Sequence, residues 1–235
     1  MADRFPLVVD STNNNLKELP SGDNLDLTGS GIKVGGTLTL GGVAVTATGT
    51  ELNLLASAGT LAQAGKQTIW IPAAAMYPTT TNGCEALAQV ETTAQQPEFK
   101  VLDFSHSATK YAQFTVAFPK SWDHTGDITF QVFWIGIAAT TTVAWCLQGK
   151  SVADGIESVA AFGTAVTVTD ASQNDATETL ISAESGDVTI TGAADDTLTY
   201  FQIYRDHDHG SDDMAGSARL LGIKLFFSTN AANDA

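Results

Sequence analysis

Hydrophobic and polar residues alternate along most of the chain after residue 65. Ten runs rich in β-branched and aromatic residues are separated by turn-forming clusters such as "SWDHTGD", "SQNDA" and "TGAADD". These runs are 68–72, 99–104, 110–118, 127–138, 142–149, 164–170, 177–182, 187–191, 197–205 and 219–228. Only "SVADGIESVAAF" (151–162) suggests a turn or two of helix. About ten short strands without regular helices predict an all-β domain, a jelly-roll-like β-sandwich.

The run "TLTYFQIYR" (197–205) carries aromatic residues at both odd and even positions. Successive side chains of a strand point to opposite faces. One face would present Leu198, Tyr200, Gln202 and Tyr204, and the other Thr199, Phe201 and Ile203. We therefore expect this strand to lie between the core on one side and a second contact on the other.

The first 69 residues follow a different pattern, in which single Leu, Ile and Val residues are separated by Gly and Thr. Strands of this kind are marginally stable alone, so their apolar positions need a partner surface. A symmetric homotrimer supplies one, because each strand covers the edge of the next chain and glycine permits close approach at the axis. The expected trimer-interface residues are Leu38, Leu40, Val43, Val45, Leu52, Leu54 and Leu55.

Composition changes at the same place as the pattern. Phe5 is the only aromatic residue before Trp70, and the remaining aromatic residues follow it. We place a boundary near residues 64–69. The predicted organisation is an extended attachment arm (1–30), a Gly/Thr-rich intertwined segment (31–65) and a β-sandwich head (70–235).

The net charge of −15, from 26 acidic and 11 basic residues, argues against nucleic-acid or anionic-membrane partners. No apolar run approaches the roughly 20 residues of a membrane span, and the first residues do not resemble a signal peptide. Cys84 and Cys146 lie far apart, without metal-site spacing. Cys146, within "TTVAWCLQG", is expected to be a small buried hydrophobe. These features fit assembly in a reducing cytoplasm.

Three stretches resemble bacteriophage structural proteins. "GGTLTLGGVAVTATGTELNLL" resembles tail-fibre shaft segments, in which a "VTATxxELNxL" unit recurs. "MADRFPLVVDSTNNNLKELPSGDNLDLTGSGI" is similar to an N-terminal arm in structural proteins of marine tailed phages. "WIPAAAMYPTTTNG", "YAQFTVAFPKSWD", "AFGTAVTVTD" and "ARLLGIKLFFSTNAANDA" are similar to a β-domain of phage and prophage structural proteins. A shaft holds many repeats whereas this chain has one, so a short appendage is expected.

The resemblance implies a non-enzymatic virion protein, assembled in the host bacterial cytoplasm and built as a short homotrimeric tail fibre. Residues 1–30 would bind another virion protein of the tail, the baseplate or the major capsid protein. One alternative is a capsid decoration or head-fibre protein, which needs the same architecture. A second alternative is a module that binds or depolymerises a host surface glycan.

Catalytic and cofactor motifs are absent from the sequence, and no cofactor is expected. His207 and His209, within "DHDHGSDDMAG", form one metal-like cluster. Three copies around an axis would offer six nitrogen ligands, a device that some phage fibre tips use. The alternative is an acidic, solvated hairpin loop.

Other chemistry-bearing residues have structural interpretations. The acidic pairs Asp195 with Asp196 and Glu184 with Asp187 are expected to be turn residues rather than a glycosidase pair. Trp134 and Trp145 lie in apolar runs and are expected in the core. Trp122, which follows Pro119 in "FPKSWD", is the tryptophan expected to be exposed to a ligand.

Overall fold

The computed structural model describes residues 7–10, 15–18, 39–40, 43–46, 48, 65–126, 128–231 and 234. The chain divides into two compact units, Met1–Ser57 and Ala58–Ala235. In the first unit, β1 (Leu7–Asp10) pairs antiparallel with β2 (Asn15–Glu18). A second antiparallel pair joins β3 (Thr39–Leu40) to β4 (Val43–Ala44).

The residues expected at a trimer interface are only partly described. Leu40 lies opposite Val43 in the β3–β4 pair, and Val45 is half-buried. The other four residues lie outside the described part of the chain: Leu38, Leu52, Leu54 and Leu55. The homotrimer therefore stays a prediction.

The described residues of the second unit form twelve strands. They are β5 (Gly65–Pro72), β6 (Tyr77–Pro78), β7 (Ala88–Glu91), β8 (Glu98–Phe104), β9 (Lys110–Ala117), β10 (Ile128–Ile135), β11 (Thr142–Val152), β12 (Val166–Ala171), β13 (Leu180–Ile181), β14 (Ile190–Thr191), β15 (Leu198–Arg205) and β16 (Ala218–Thr229). Each of the ten predicted runs overlaps one of these strands, and β6 and β7 are additional. In the described part of the chain the only helix is the 3-10 turn Ala73–Ala75, so no described helix is long enough to span a membrane.

The helical turn predicted within 151–162 is wrong. Residues 151 and 152 complete β11, and the remainder forms turns. Gly155 adopts a φ of +71°, which breaks any helical continuation, and the Gly163 N–H returns to the Gly149 carbonyl at 3.1 Å. The segment is a loop that folds back onto the strand it leaves.

Two mainly antiparallel sheets form the predicted β-sandwich, which is thereby confirmed. The first sheet has the order β13-β10-β16-β8-β7, with β5 also paired to β16. The second has the order β12-β11-β15-β9-β6, with β14 pairing in parallel to β11. One contiguous hydrophobic core lies between them.

Aromatic residues from both sheets fill that core. Trp134 and Trp145 are fully buried, as predicted, with ring centroids 6.1 Å apart. The Trp134 Nε1–H donates to Asp170 Oδ2 at 2.7 Å and so ties β10 in one sheet to β12 in the other. Phe114 stacks on Phe201 at 5.0 Å.

A β-bulge lets the long strand β16 keep its apolar residues inward. Phe133 pairs with Gly222 and Trp134 with Leu220, which leaves Leu221 as the extra residue. A Cβ at Gly222 would lie 2.5 Å from the Ile71 carbonyl oxygen, so only glycine fits this close approach of β16 to β5.

Candidate functional site

The outer surface of the second sheet, termed here the tyrosine–glutamine face, carries three rows of side chains across its strands. Strand pairing sets each row, because residues opposite one another share a face. The rows are Tyr77, Gln113, Gln202 and Gln148; Tyr111, Tyr204, Cys146 and Thr167; and Thr115, Tyr200 and Lys150. The face thus combines four tyrosines with three glutamines.

Strand β15 shows how the sequence positions this face. Its inward residues Phe201 and Ile203 are fully buried, whereas Tyr200, Gln202 and Tyr204 are half-buried and point outward. The two-faced pattern predicted for residues 197–205 is confirmed.

Neighbouring side chains on the face hold one another in place. The rings of Tyr111 and Tyr204 lie 5.1 Å apart at 54°. The Gln148 Nε2 donates to Gln202 Oε1 at 2.6 Å, so one amide orients the next. Such contacts reduce the side-chain freedom that a bound ligand would otherwise have to restrict.

The raised pKa values of Tyr204 and Cys146 keep both side chains protonated at neutral pH. Burial raises the pKa of Tyr204, and the neighbouring Cys146 and Asp206 raise it further. Burial likewise raises the pKa of the Cys146 thiol, whose Sγ lies 3.0 Å from Thr167 Oγ1. Cys146 is buried, as predicted, and the middle of the face offers hydroxyl and amide groups rather than charge.

One end of the face deepens into a cavity of about 250 Å³. Gln113, Lys150 and Tyr200 contribute from the strands. The loop 153–163 contributes Ser158, Ala160 and Phe162, and Val152 completes the lining. The Lys150 Nζ donates to the Ala160 carbonyl at 3.0 Å, which fastens the loop to the sheet.

The face has no pair of carboxylates. None of its three rows contains Asp or Glu, and glycoside cleavage ordinarily needs two carboxyl groups beside the bond that breaks. The acidic pairs considered from the sequence lie elsewhere. Asp195 and Asp196 are turn residues, as predicted, and Asp196 has a φ of +54°. Glu184 forms an ion pair with Lys66.

The His-rich loop after β15 is held by ordinary local contacts. His207 Nδ1 lies 3.0 Å from Thr109 Oγ1, and His209 Nδ1 accepts the Ser211 N–H at 3.2 Å. No three His, Cys, Asp or Glu side chains come together as a metal site within the described residues. A metal shared by His207 and His209 of several chains stays a prediction.

The exposure expected for Trp122 is wrong. The side chain is only 3% exposed, and its ring stacks on Phe118 at 4.3 Å. The backbone N–H of Trp122 donates to the Pro119 carbonyl at 2.9 Å. This bond turns the loop inward and brings the indole onto the core. One edge still lines a cavity of about 210 Å³ beside His124. On the second sheet the accessible aromatic residues are Tyr77, which is 46% exposed, and the half-buried Tyr111, Tyr200 and Tyr204.

The sequence did contain a signal for this face. In "KYAQFTVAF" (110–118), Tyr111 and Gln113 share one parity and Phe114 and Val116 the other, as in strand β15. The adjacency of the two strands comes only from the topology, in which β15 pairs with β9.

The sequence matches no protein-family model and no curated protein. Among solved structures, the family 35 carbohydrate-binding module of Cellvibrio japonicus Abf62 is 9% identical, with a TM-score of 0.42 over 70% of this chain and 99% of that one. A family 35 module from Clostridium thermocellum is 10% identical, with a TM-score of 0.38 over 68% and 97%. The C-terminal family 22 module of Clostridium thermocellum Xyn10B is 14% identical, with a TM-score of 0.36 over 68% and 88%. At these TM-scores the similarity carries no conclusion about what this chain binds.

Proposed function

We propose that the second unit, Ala58–Ala235, is a non-catalytic glycan-binding module whose site is the tyrosine–glutamine face. The observation that carries this proposal is the contiguous set of four tyrosines and three glutamines across four paired strands. A sugar presents apolar C–H faces, which pack on aromatic rings, and hydroxyl groups, which pair with amides that both donate and accept.

The physical character of the face suits a polar, uncharged chain of sugar units. Tyrosine supplies a large rigid contact area at low conformational-entropy cost, and glutamine adapts its hydrogen bonds to the ligand. The rows extend across β6, β9, β15 and β11, so successive sugar units would lie across the strands. Absence of carboxylates from the rows supports binding without cleavage.

We expect the full chain to bind at least one glycan on an array, and Tyr111→Ala and Gln113→Ala to weaken that binding by about fivefold or more each. Titration calorimetry with the soluble glycan provides the measurement. Trp70→Ala is the matched control, because Trp70 is an aromatic residue 48% exposed on the opposite sheet. A blank array, or equal losses for Trp70→Ala and Tyr111→Ala, would contradict the proposal. Release of reducing sugar would contradict its non-catalytic part.

We also propose that this module is the head of a homotrimeric virion appendage of a bacteriophage, a short tail fibre or a capsid-bound fibre. The resemblance of "GGTLTLGGVAVTATGTELNLL" to fibre shafts supports this proposal, together with the sparse apolar residues of the first unit. A host surface glycan would then be the partner of the head, and residues 1–30 would bind a tail, baseplate or capsid protein.

The oligomeric state tests the appendage proposal. We expect the full chain to have the mass of a trimer in light scattering, and Val45→Asp to shift it toward monomer because a carboxylate is costly in an apolar interface. Thr46→Asp is the matched control, since Thr46 is exposed beside the half-buried Val45. A monomeric unmodified chain would overturn the trimer. Imaging of labelled residues 1–30 on intact particles separates tail from capsid attachment.

A further inference from the structure

The cavity at the end of the tyrosine–glutamine face contains a buried cation without a described counterion. Lys150 is only 7% exposed. None of the ion pairs among the described residues includes it, and its Nζ makes one hydrogen bond, to the Ala160 carbonyl. An ammonium group has three N–H donors, so two remain. A buried charge is costly unless it is paired, which makes this cavity favourable for an anion.

The residues around Lys150 leave room for an anionic ligand. Tyr200, Gln113 and Ser158 bring hydroxyl and amide groups to the lining, and none of the described lining residues is acidic. Asp154 and Glu157, the acids of the covering loop, are exposed and are not among the lining residues. A buried lysine without a described acidic neighbour is unusual in a chain whose net charge is −15. The volume of about 250 Å³ equals that of roughly eight waters, which suits one small polar unit.

From this geometry we infer that the cavity selects an anionic sugar unit, in which a carboxylate or a sulfate ester pairs with Lys150. This inference rests on the proposed glycan-binding function and names its ligand class. Tyr200 and Gln113 would contact the ring and the hydroxyl groups of the same unit. Lysine acts as a compact point charge, so it recognises the charge of the substituent rather than its shape. Neighbouring sugar units would extend over the neutral rows.

The test compares an acidic glycan with its uncharged counterpart. The unmodified full chain is titrated with hexuronate oligosaccharides, with the same oligosaccharides after reduction of each carboxyl to a hydroxymethyl group, and with sulfate-ester oligosaccharides. We expect the acidic form to bind about tenfold to a hundredfold more tightly than the reduced form, as a charge-assisted hydrogen bond in a buried site allows. The uronate and sulfate series identify which anion the cavity prefers.

Two variants test whether Lys150 is the source of the preference for acidic glycans. Lys150→Gln keeps a donor for the Ala160 carbonyl but removes the charge, and we expect it to bind acidic and reduced glycans about equally. Lys224→Gln removes the same charge from the opposite sheet and is expected to preserve the preference. Thermal unfolding of each variant reports whether it folds, and the reduced-glycan comparison on the unmodified chain needs no variant.

The possible outcomes distinguish failure of the anion preference from failure of the proposed glycan binding. Equal binding of acidic and reduced glycans overturns the anion preference and leaves glycan binding intact. A preference that survives in folded Lys150→Gln also overturns it, since the charge would then be read elsewhere. Failure of every glycan to bind overturns both the inference and the proposed function.

Discussion

Replacing Asp212 with alanine is expected to destabilise the β-sandwich by about 3–5 kcal/mol, because it leaves a buried guanidinium unpaired. The Arg205 side chain is 1% exposed and that of Asp212 2%. Arg205 Nε donates to Asp212 Oδ2 at 2.8 Å, and Arg205 Nη2 to Asp212 Oδ1 at 2.6 Å. Arg205 also donates to the carbonyls of Gly216 and Met214, both at 2.6 Å.

The carboxylate has a further role, because Asp212 Oδ2 accepts the Ala144 N–H at 3.0 Å. The loop 206–216 is thereby fastened to β11, at the end of the sheet that carries the tyrosine–glutamine face. Loss of the carboxylate would free the loop and leave the Ala144 donor without its partner. The acidic character of "DHDHGSDDMAG" is thus explained in part by a structural ion pair.

Denaturant titration followed by tryptophan fluorescence measures this loss. All four tryptophans lie at or after residue 70, so the signal reports the sandwich. A loss of 3–5 kcal/mol lowers the thermal midpoint by about 6–20 °C for a unit of this size. Asp208→Ala is the control in the same loop, with a side chain 85% exposed, and should change stability by about 0.5 kcal/mol or less. Equal stability of the two variants would refute the role assigned to the ion pair.

Period-two alternation was sufficient to predict most of the sandwich. Every predicted run overlaps a strand, since inward residues such as Phe114 and Phe130 alternate with polar ones. The strands β6 and β7 were missed because they have two and four residues and no distinct alternation. The sequence of 151–162 predicts a turn or two of helix, and this segment contains several apolar residues. In the structure some of them, such as Val159, are exposed.

The candidate site was less accessible to sequence reasoning than the fold. Alternation identifies the outward residues of one strand, but a ligand face needs the order of the strands, which non-local pairing sets. Gln113 and Gln202 are 89 positions apart in the sequence and directly opposite in the sheet. The exposure predicted for Trp122 failed for the same reason, because its ring stacks on Phe118, which in turn contacts Phe227 of the last strand.

Truncating a core tryptophan should lower the stability of the sandwich far more than truncating the exposed Trp70. We expect Trp145→Ala to cost about 3–5 kcal/mol, because it leaves a large cavity between the sheets. Trp145 is fully buried, and Phe104 and Trp134 contact its ring edge-on at centroid distances of 5.2 and 6.1 Å. Trp70→Ala, on the exposed outer surface of the first sheet, should cost about 1 kcal/mol or less.

A gentler pair of substitutions separates packing from hydrogen bonding. Trp134→Phe removes the 2.7 Å hydrogen bond to Asp170, whereas the Trp145 Nε1 has no hydrogen-bond partner among the described residues. We therefore expect Trp134→Phe to be more destabilising than Trp145→Phe by about 1–3 kcal/mol, since it leaves a carboxylate between the sheets without its donor. Chemical denaturation of both variants gives this difference directly. Equal losses would mean that the Trp134–Asp170 bond adds nothing to the joining of the two sheets.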